Sequence, residues 1–135
     1  MANPNIVNVG NIYGHTAYLI PGGNATNNVN WTFNGTLPST GLTPVTNNVH
    51  RITSITVSNM TAGTAAATVA IDNNSNFFAA NLVTYPAYQI SVPPNATLVV
   101  IDKTNSIYIT ENQSLAVSSG TANALTFTTT FESIS

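Results

Sequence analysis

Residues 49–58 read V-H-R-I-T-S-I-T-V-S, and this stretch decides the fold class. Apolar side chains at Ile55 and Val57 alternate with hydroxyl side chains, which is the pattern of a β-strand with one buried and one solvated face. The hydroxyl positions are Ser54, Thr56 and Ser58. Ile52 lies out of register with Ile55 and Val57, and this offset predicts a β-bulge within the strand.

The rest of the chain repeats this signature. Short β-branched or aromatic runs alternate with Asn, Gly, Pro and Ser at the spacing typical of a sandwich or barrel, and sustained helical periodicity is missing. Further strands are predicted at 16–20, 29–33, 67–71, 87–92, 97–101, 106–109, 114–118 and 124–134, with another segment around 76–83. In the last strand Leu125, Phe127 and Phe131 are expected to face the core, with Thr126, Thr128 and Thr130 outward.

Turn residues and chain length complete the fold prediction. Asn34-Gly35 suits a tight hairpin, and Pro93-Pro94 ends one strand before Asn95 reverses the chain. We expect an all-β protein with a single antiparallel β-sandwich over residues 16–135, jelly-roll-like or Ig-like, preceded by an extended N-terminal arm at residues 1–15.

The composition excludes several classes of protein. Only 4% of the 135 residues are charged, there is no Cys, and mean hydropathy is +0.15. A nearly neutral surface repels its neighbours weakly and suits a protein that packs against others. With Arg51 and Lys103 as the fixed cations, nucleic acid is not expected as a partner. The sequence shows neither a membrane-spanning run nor a leader-like start, so we expect synthesis in a cytoplasm and no membrane partner.

Neither catalysis nor cofactor binding is predicted. The titratable side chains are few, and no nucleophile-elbow motif or catalytic triad neighbourhood is present. Residues 72–76, D-N-N-S-N, imitate the opening of a calcium loop, but the sixth position is Phe77 instead of Gly and the twelfth is Val83 instead of Glu. His15 and His50 are two isolated histidines, which do not make a zinc site. We therefore expect no metal, no cofactor and no catalytic residue.

Several segments resemble a known class of proteins. They are I-V-N-V-G-N-I-Y-G-H-T-A (6–17), H-R-I-T-S-I-T-V-S-N (50–59), I-S-V-P-P-N-A-T-L-V-V-I-D-K (90–103), I-Y-I-T-E-N-Q-S-L (107–115) and F-E-S-I-S (131–135). In these segments the chain resembles small virion structural proteins of tailed phages, particularly cyanophages. One departure is the turn at residues 111–114, E-N-Q-S, where an acidic turn of the E-G-D-S type would be expected.

The resemblance implies a β-sandwich built into the particle as a capsid decoration (cement) protein, with a neck or tail component as the alternative. The expected partners are the major capsid protein and the chain itself, as a homotrimer, and the expected location is the capsid of the virion. Ile12, Tyr13 and His15 lie outside the predicted strands, so we expect them to anchor the arm to the capsid or to another subunit.

A second alternative is a module that binds host glycans. Trp31, Phe33, Tyr85 and Tyr88 could form a platform on which sugars stack, although aromatic residues in strands more often belong to the core. This alternative requires an exposed aromatic cluster, and it would lose its main support if Trp31 and Tyr88 were buried.

Overall fold

A computed structural model describes residues 10–21, 44, 47–72 and 83–135 of the chain. Within them lie eight β-strands and a short 3-10 turn at Lys103–Asn105. The strands are β1 (Ile12–Leu19), β2 (Val49–Asn59), β3 (Ala65–Asp72), β4 (Val83–Val92), β5 (Thr97–Ile101), β6 (Ile107–Thr110), β7 (Ser114–Ser119) and β8 (Leu125–Ile134). The predicted strand at 29–33 and the Asn34-Gly35 hairpin lie outside the described residues, as does most of segment 76–83.

Two antiparallel sheets pack against each other, so the predicted β-sandwich is confirmed. The larger sheet has the order β1-β8-β2-β5, and β6 pairs with the same edge of β2 as β5 does, over a different part of the strand. The smaller sheet has the order β4-β3-β7. The chain passes from one sheet to the other after β2, β4, β6 and β7. Strands that are neighbours in a sheet are therefore mostly distant in sequence.

The predicted faces are confirmed. Side chains from both sheets fill the core, including the three predicted from β2, namely Ile52, Ile55 and Val57, and the three predicted from β8, namely Leu125, Phe127 and Phe131. The smaller sheet contributes Val69, Leu115 and Val117 among others. The alternate residues of β8 at Thr126 and Thr128 are half-buried and Thr130 is exposed.

The predicted bulge in β2 is also confirmed. The pairing of β2 with β8 shifts register between Ile52 and Ser54, which leaves Thr53 as the extra residue. Two hydroxyls secure the bulge: Thr53 Oγ1 donates to the Thr130 carbonyl and Thr129 Oγ1 donates to the Ser54 carbonyl, each at 3.0 Å. The bulge returns Ile52 to the core face, so the strand buries both parts of its apolar pattern.

The predicted arm is too long by part of a strand. β1 begins at Ile12, whereas the sequence predicts Thr16 as the first residue, and it pairs with β8 from Ile12↔Ile134 to Leu19↔Phe127. Ile12, Tyr13 and His15 therefore belong to the larger sheet. The sequence pattern misses this part of the strand because edge-strand side chains are mostly exposed and carry little apolar alternation. Of the rest of the predicted arm, Gly10 and Asn11 form backbone hydrogen bonds with Ser135, and residues 1–9 lie outside the described residues.

Candidate functional site

The three residues predicted as anchors lie together on one strand but on two faces of it. In an antiparallel sheet paired residues share a face, so Tyr13 and His15 lie on the core-facing side with their partners Ser133 and Phe131. Ile12 lies on the outer side with Ile134. The His15 ring packs on Phe131 at a centroid distance of 5.2 Å, while Ile12 is 58% and Tyr13 60% exposed. Only Ile12 and Tyr13 therefore present a large apolar surface to solvent.

These two residues belong to a longer apolar edge. Tyr18 is 53% and Ile20 is 44% exposed, and β8 is the one described strand that pairs with β1. We call β1 together with Ile20 the β1 edge. It contains no Lys, Arg, Asp, Glu or Pro, which are the residues that protect edge strands against pairing with other chains. The β1 edge is therefore suited to receive a strand from a partner.

A separate feature lies on the outer face of the smaller sheet. A cleft of about 180 Å³ opens there, and we call it the tyrosine cleft. Its lining residues are Ala66, Thr68, Tyr85, Tyr88, Gln89, Ser118, Ser119 and Gly120. They come from β3, β4 and β7 and from the residue that follows β7, so the cleft crosses all three strands of the sheet.

The two tyrosines meet because β4 is irregular. The pairing of β3 with β4 shifts register between Ala67 and Val69 and again between Val69 and Ile71, so β4 carries extra residues at both places. Tyr85 and Tyr88 would point to opposite faces in a regular strand, yet both line the cleft. Their rings form an edge-to-face pair with centroids 4.9 Å apart at 64°, and they are 46% and 57% exposed.

The polar wall of the tyrosine cleft is held by the backbone. Gln89 has a positive φ of 51°, and its N–H donates to Thr68 Oγ1 at 3.0 Å. On the other side the Gly120 N–H donates to the Ala66 carbonyl at 2.9 Å, and a Cβ added to Gly120 would lie 3.3 Å from the Ala66 Cβ. Ala66 and Gly120 thus pack closely together, and we call this part of the lining the floor of the cleft.

Comparison with known proteins does not identify a role for the β1 edge or for the tyrosine cleft. No family model, curated protein or solved structure matches the chain. The interpretation of the β1 edge and the tyrosine cleft therefore rests on their geometry and chemistry.

The electrostatics of the described residues are weak. Arg51 Nη1 lies 3.5 Å from Glu132 Oε2, and both side chains are partly exposed on the outer face of the larger sheet. In the 3-10 turn, Asp102 accepts hydrogen bonds from the Thr104 hydroxyl and N–H, and these bonds lower the pKa of that carboxyl. No cluster of three His, Cys, Asp or Glu side chains able to hold a metal occurs in the described part of the chain.

His50 is the strongly perturbed titratable group. It is buried with its ring on Phe131 at a centroid distance of 4.7 Å, opposite the contact that His15 makes with the same ring. Burial, with a smaller contribution from the charge of His15, lowers the pKa of His50 to about 4. The His50 ring is therefore neutral at pH 7 and acts as an aromatic core residue.

The turn at residues 111–114 closes through hydrogen bonds of a neutral side chain at its third position. Gln113 Oε1 accepts hydrogen bonds from both the N–H and the hydroxyl of Thr110, each at 3.0 Å. Glu111 is buried, and its carboxylate accepts a bond from the Asn47 N–H at 2.7 Å. This turn therefore ties β6 to the chain ahead of β2.

The aromatic platform predicted from the sequence is brought together in part. Tyr85 and Tyr88 form the exposed pair, while Trp31 and Phe33 lie outside the described residues. The polar residues of the cleft were missed, because Thr68, Gln89 and Ser118 are far apart in the sequence and belong to no motif. The Tyr-x-x-Tyr spacing was the one available signal, and it identifies a shared face only once the irregularity of β4 is known.

No described helix has the length and apolarity needed to cross a membrane.

Proposed function

We propose that this chain is a non-catalytic structural protein of a tailed-phage particle, and that it acts as a capsid decoration (cement) protein. In this role it binds the lattice of the major capsid protein and stabilises the head. The chain is made in the host cytoplasm and functions in the virion, with neither nucleic acid nor membrane as a direct partner. The resemblance of five segments to cyanophage virion proteins supports the class of protein, and the β1 edge supports association with other chains.

The β1 edge is the observation that carries the proposal. Among the described residues β1 is an edge strand that is neutral and apolar and has no charged residue or proline to protect it. Such an edge favours aggregation in a free monomer, so we expect it to be covered in the working state of the protein. Addition of a strand from a neighbouring chain would satisfy backbone groups of β1 and bury Ile12, Tyr13, Tyr18 and Ile20 together. The low charge of the chain removes repulsion between closely packed copies.

The energies indicate that one such contact is not sufficient. Burying four side chains that are already half-covered stabilises a complex by roughly 4 kcal/mol. This value lies at the lower limit of the cost of association, which is about 4–15 kcal/mol. Stable binding therefore needs the added backbone pairing and several contacts per assembly, which a shell of many copies supplies through multivalency.

The proposed homotrimer sets a geometric condition on this edge. Pairing of β1 with β1 of a second copy uses the same surface twice and gives a two-fold dimer. A closed ring of three instead needs the β1 edge of one copy to contact a different surface of the next. The β5/β6 edge of the same sheet is the complementary choice, because it lies at the opposite end of the sheet order.

Three matched lysine substitutions test this arrangement. Tyr18 on β1, Tyr108 on β6 and Tyr88 on β4 are 53%, 49% and 57% exposed, so a change at any of them should leave the core intact. Sedimentation of the wild-type protein should give three times the 14.1 kDa mass of one chain. Tyr18→Lys and Tyr108→Lys should give monomers, and Tyr88→Lys should remain trimeric. A trimer that persists in Tyr18→Lys would contradict the role of the β1 edge.

Copy number in purified particles tests the role in the capsid. Mass spectrometry should find this protein at a ratio near one to one, or one to a few, relative to the major capsid protein. Particles that lack the protein should release their genome at a lower temperature, and added wild-type protein should reverse this. A handful of copies per particle would favour the neck or tail, and complete absence from particles would refute the virion assignment.

A further inference from the structure

We propose that the tyrosine cleft is a carbohydrate-binding subsite that accommodates one ring of a neutral glycan. This inference does not depend on the proposed capsid role, because the cleft and the β1 edge lie on different sheets. A copy can therefore use its β1 edge for assembly while the cleft remains open to a ligand.

The aromatic part of the cleft fits the apolar face of a sugar ring. The C–H groups on one face of a pyranose carry a slight positive charge, and the face of an aromatic ring is negative. Because Tyr85 and Tyr88 meet edge to face, one ring can lie beneath a sugar while the other forms a wall beside it. Both rings remain about half exposed, although aromatic side chains in strands normally gain stability from burial.

The polar part of the cleft matches sugar hydroxyl groups. Thr68 accepts the Gln89 N–H through its hydroxyl oxygen, so its hydroxyl hydrogen remains a donor. The exposed Gln89 side chain carries both a donor and an acceptor, and Ser118 supplies a further hydroxyl to the lining. Hydroxyl and amide groups beside an aromatic face are the combination that neutral sugars require.

The charge and volume of the cleft limit the class and size of the ligand further. None of the described lining residues is Asp, Glu, Lys or Arg, so they offer no charged partner for a sulfate, phosphate or carboxylate group. Its volume of about 180 Å³ is below the roughly 300–1,000 Å³ of pockets that enclose drug-sized molecules. A cleft of this size accommodates one sugar ring of a glycan.

The cleft is organised before a ligand arrives. The positive φ of Gln89, its bond to Thr68 and the Gly120–Ala66 backbone bond fix the wall and the floor. A ligand therefore has little backbone to order, and most of its interaction energy contributes to affinity. In a trimer three such clefts would act together, so that a weak single-site affinity becomes a useful attachment to a glycan-coated surface.

Saturation-transfer NMR with defined oligosaccharides tests the inference. The probes are cellotetraose, maltotetraose, mannotetraose and N-acetylated chitotetraose as neutral chains, with tetragalacturonate, in which every ring carries a carboxylate, as an anionic control. At least one neutral probe should receive saturation from the wild-type protein, and tetragalacturonate should receive none. Saturation of tetragalacturonate alone, or of no probe, would overturn the proposal.

Matched variants locate the binding. Tyr88→Ala removes one ring of the pair, and Ala66→Leu fills the floor from the outer face without entering the core. Each should weaken binding of the responding probe about tenfold or more, which corresponds to about 1.4 kcal/mol. Met60→Ala removes a large side chain that is 51% exposed and lies outside both the cleft and the proposed interface edges, so it should leave binding unchanged. Unchanged binding in Tyr88→Ala, with the thermal melt showing a folded protein, would refute the site.

The two proposals fail separately. Tyr18→Lys should lose the trimer but keep the binding of a single tetrasaccharide at each cleft. Tyr88→Ala should keep the trimer and lose the oligosaccharide. A loss of both properties in either variant would show that the two surfaces are not independent.

Discussion

The stability of this protein should fall steeply in mild acid because of His50. Its pKa is about 4 in the folded chain, against 6.5 for an unperturbed histidine. As the pH falls below 6.5, His50 becomes protonated in the unfolded chain but stays neutral in the folded chain until the pH approaches 4. Stability is therefore fully present above pH 6.5 and is lost progressively until the pH reaches about 4.

The magnitude follows from this difference in pKa. Linkage between protonation and folding predicts that the free energy of unfolding decreases by roughly 2.5 kcal/mol between about pH 7.5 and about pH 4.5. Solvent screening is small at this site because His50 is only 8% exposed. The physical origin is that a charged imidazole would lie on the Phe131 ring with its Nδ1 buried and without a hydrogen-bond partner.

Urea unfolding followed by circular dichroism at a series of pH values measures this loss. The protein concentration must stay fixed, because association contributes to apparent stability. The matched variant is His50→Phe, which keeps an aromatic ring against Phe131 and cannot titrate, so its free energy of unfolding should change much less over the same range. His15→Gln removes the smaller cause of the shift and should reduce the loss slightly.

The range of pH separates His50 from Asp102. Hydrogen bonds from Thr104 lower the pKa of the Asp102 carboxyl below its ordinary value of 3.8, so this group contributes little above pH 4.5. A flat profile in the wild-type protein, or an equal decline in His50→Phe, would refute the argument. Direct titration of the His50 ring by NMR should give a midpoint near 4.

Three further substitutions test interactions that hold the sandwich together. Asn59→Ala should lower the free energy of unfolding by about 2–3 kcal/mol, because it removes the hydrogen bonds that the Asn59 amide donates to the Val92 carbonyl at 2.9 Å and to the Gly63 carbonyl at 2.8 Å. Thr129→Val should cost about 1 kcal/mol, because it removes the hydroxyl bond to the Ser54 carbonyl without changing the shape of the side chain. Asn95→Ala should also cost about 1 kcal/mol, because φ is 55° at this position. Urea unfolding measures all three.

Two further variants provide controls for Thr129→Val and Asn95→Ala. Thr128→Val alters a half-buried hydroxyl on the outer face of β8, beside Thr129, and should stay within about 0.5 kcal/mol of the wild type. A cost of Thr129→Val no larger than that of Thr128→Val would show that the bond to Ser54 adds nothing. Asn95→Gly should be tolerated, because glycine adopts positive φ freely, and equal loss in Asn95→Gly and Asn95→Ala would refute the backbone argument.

The tyrosine cleft could be predicted only in part. Tyr85 and Tyr88 are visible in the sequence as candidate sugar-stacking residues, but a regular strand would separate them onto two faces. The register shifts in the pairing of β4 with β3 place them together, and the partner strand determines where such shifts occur. Gln89 adopts its positive φ in the same region, and the sequence does not predict this because glutamine rarely takes positive φ.

The β1 edge could also be predicted only in part. The sequence predicts Ile12, Tyr13 and His15 as interface residues but places them on an arm, and it does not identify Tyr18 and Ile20. Their pairing with β8 joins the beginning of the chain to its end, and no local pattern encodes a contact of that separation. Asn59 was likewise unremarkable in the sequence, although its side chain joins the end of β2 to the end of β4.

The all-β class, the presence of each strand that the structure describes, the buried faces of β2 and β8 and a bulge within β2 could be predicted from the sequence. These features depend on side-chain alternation along one strand, which short-range chemistry dictates. The neighbours of each strand, the positions of the sheet edges and the outer face that carries the cleft follow from the folded structure. Those features depend on pairing between segments far apart in the chain, where the free energy comes from burial shared by both sheets and no single segment contains the information.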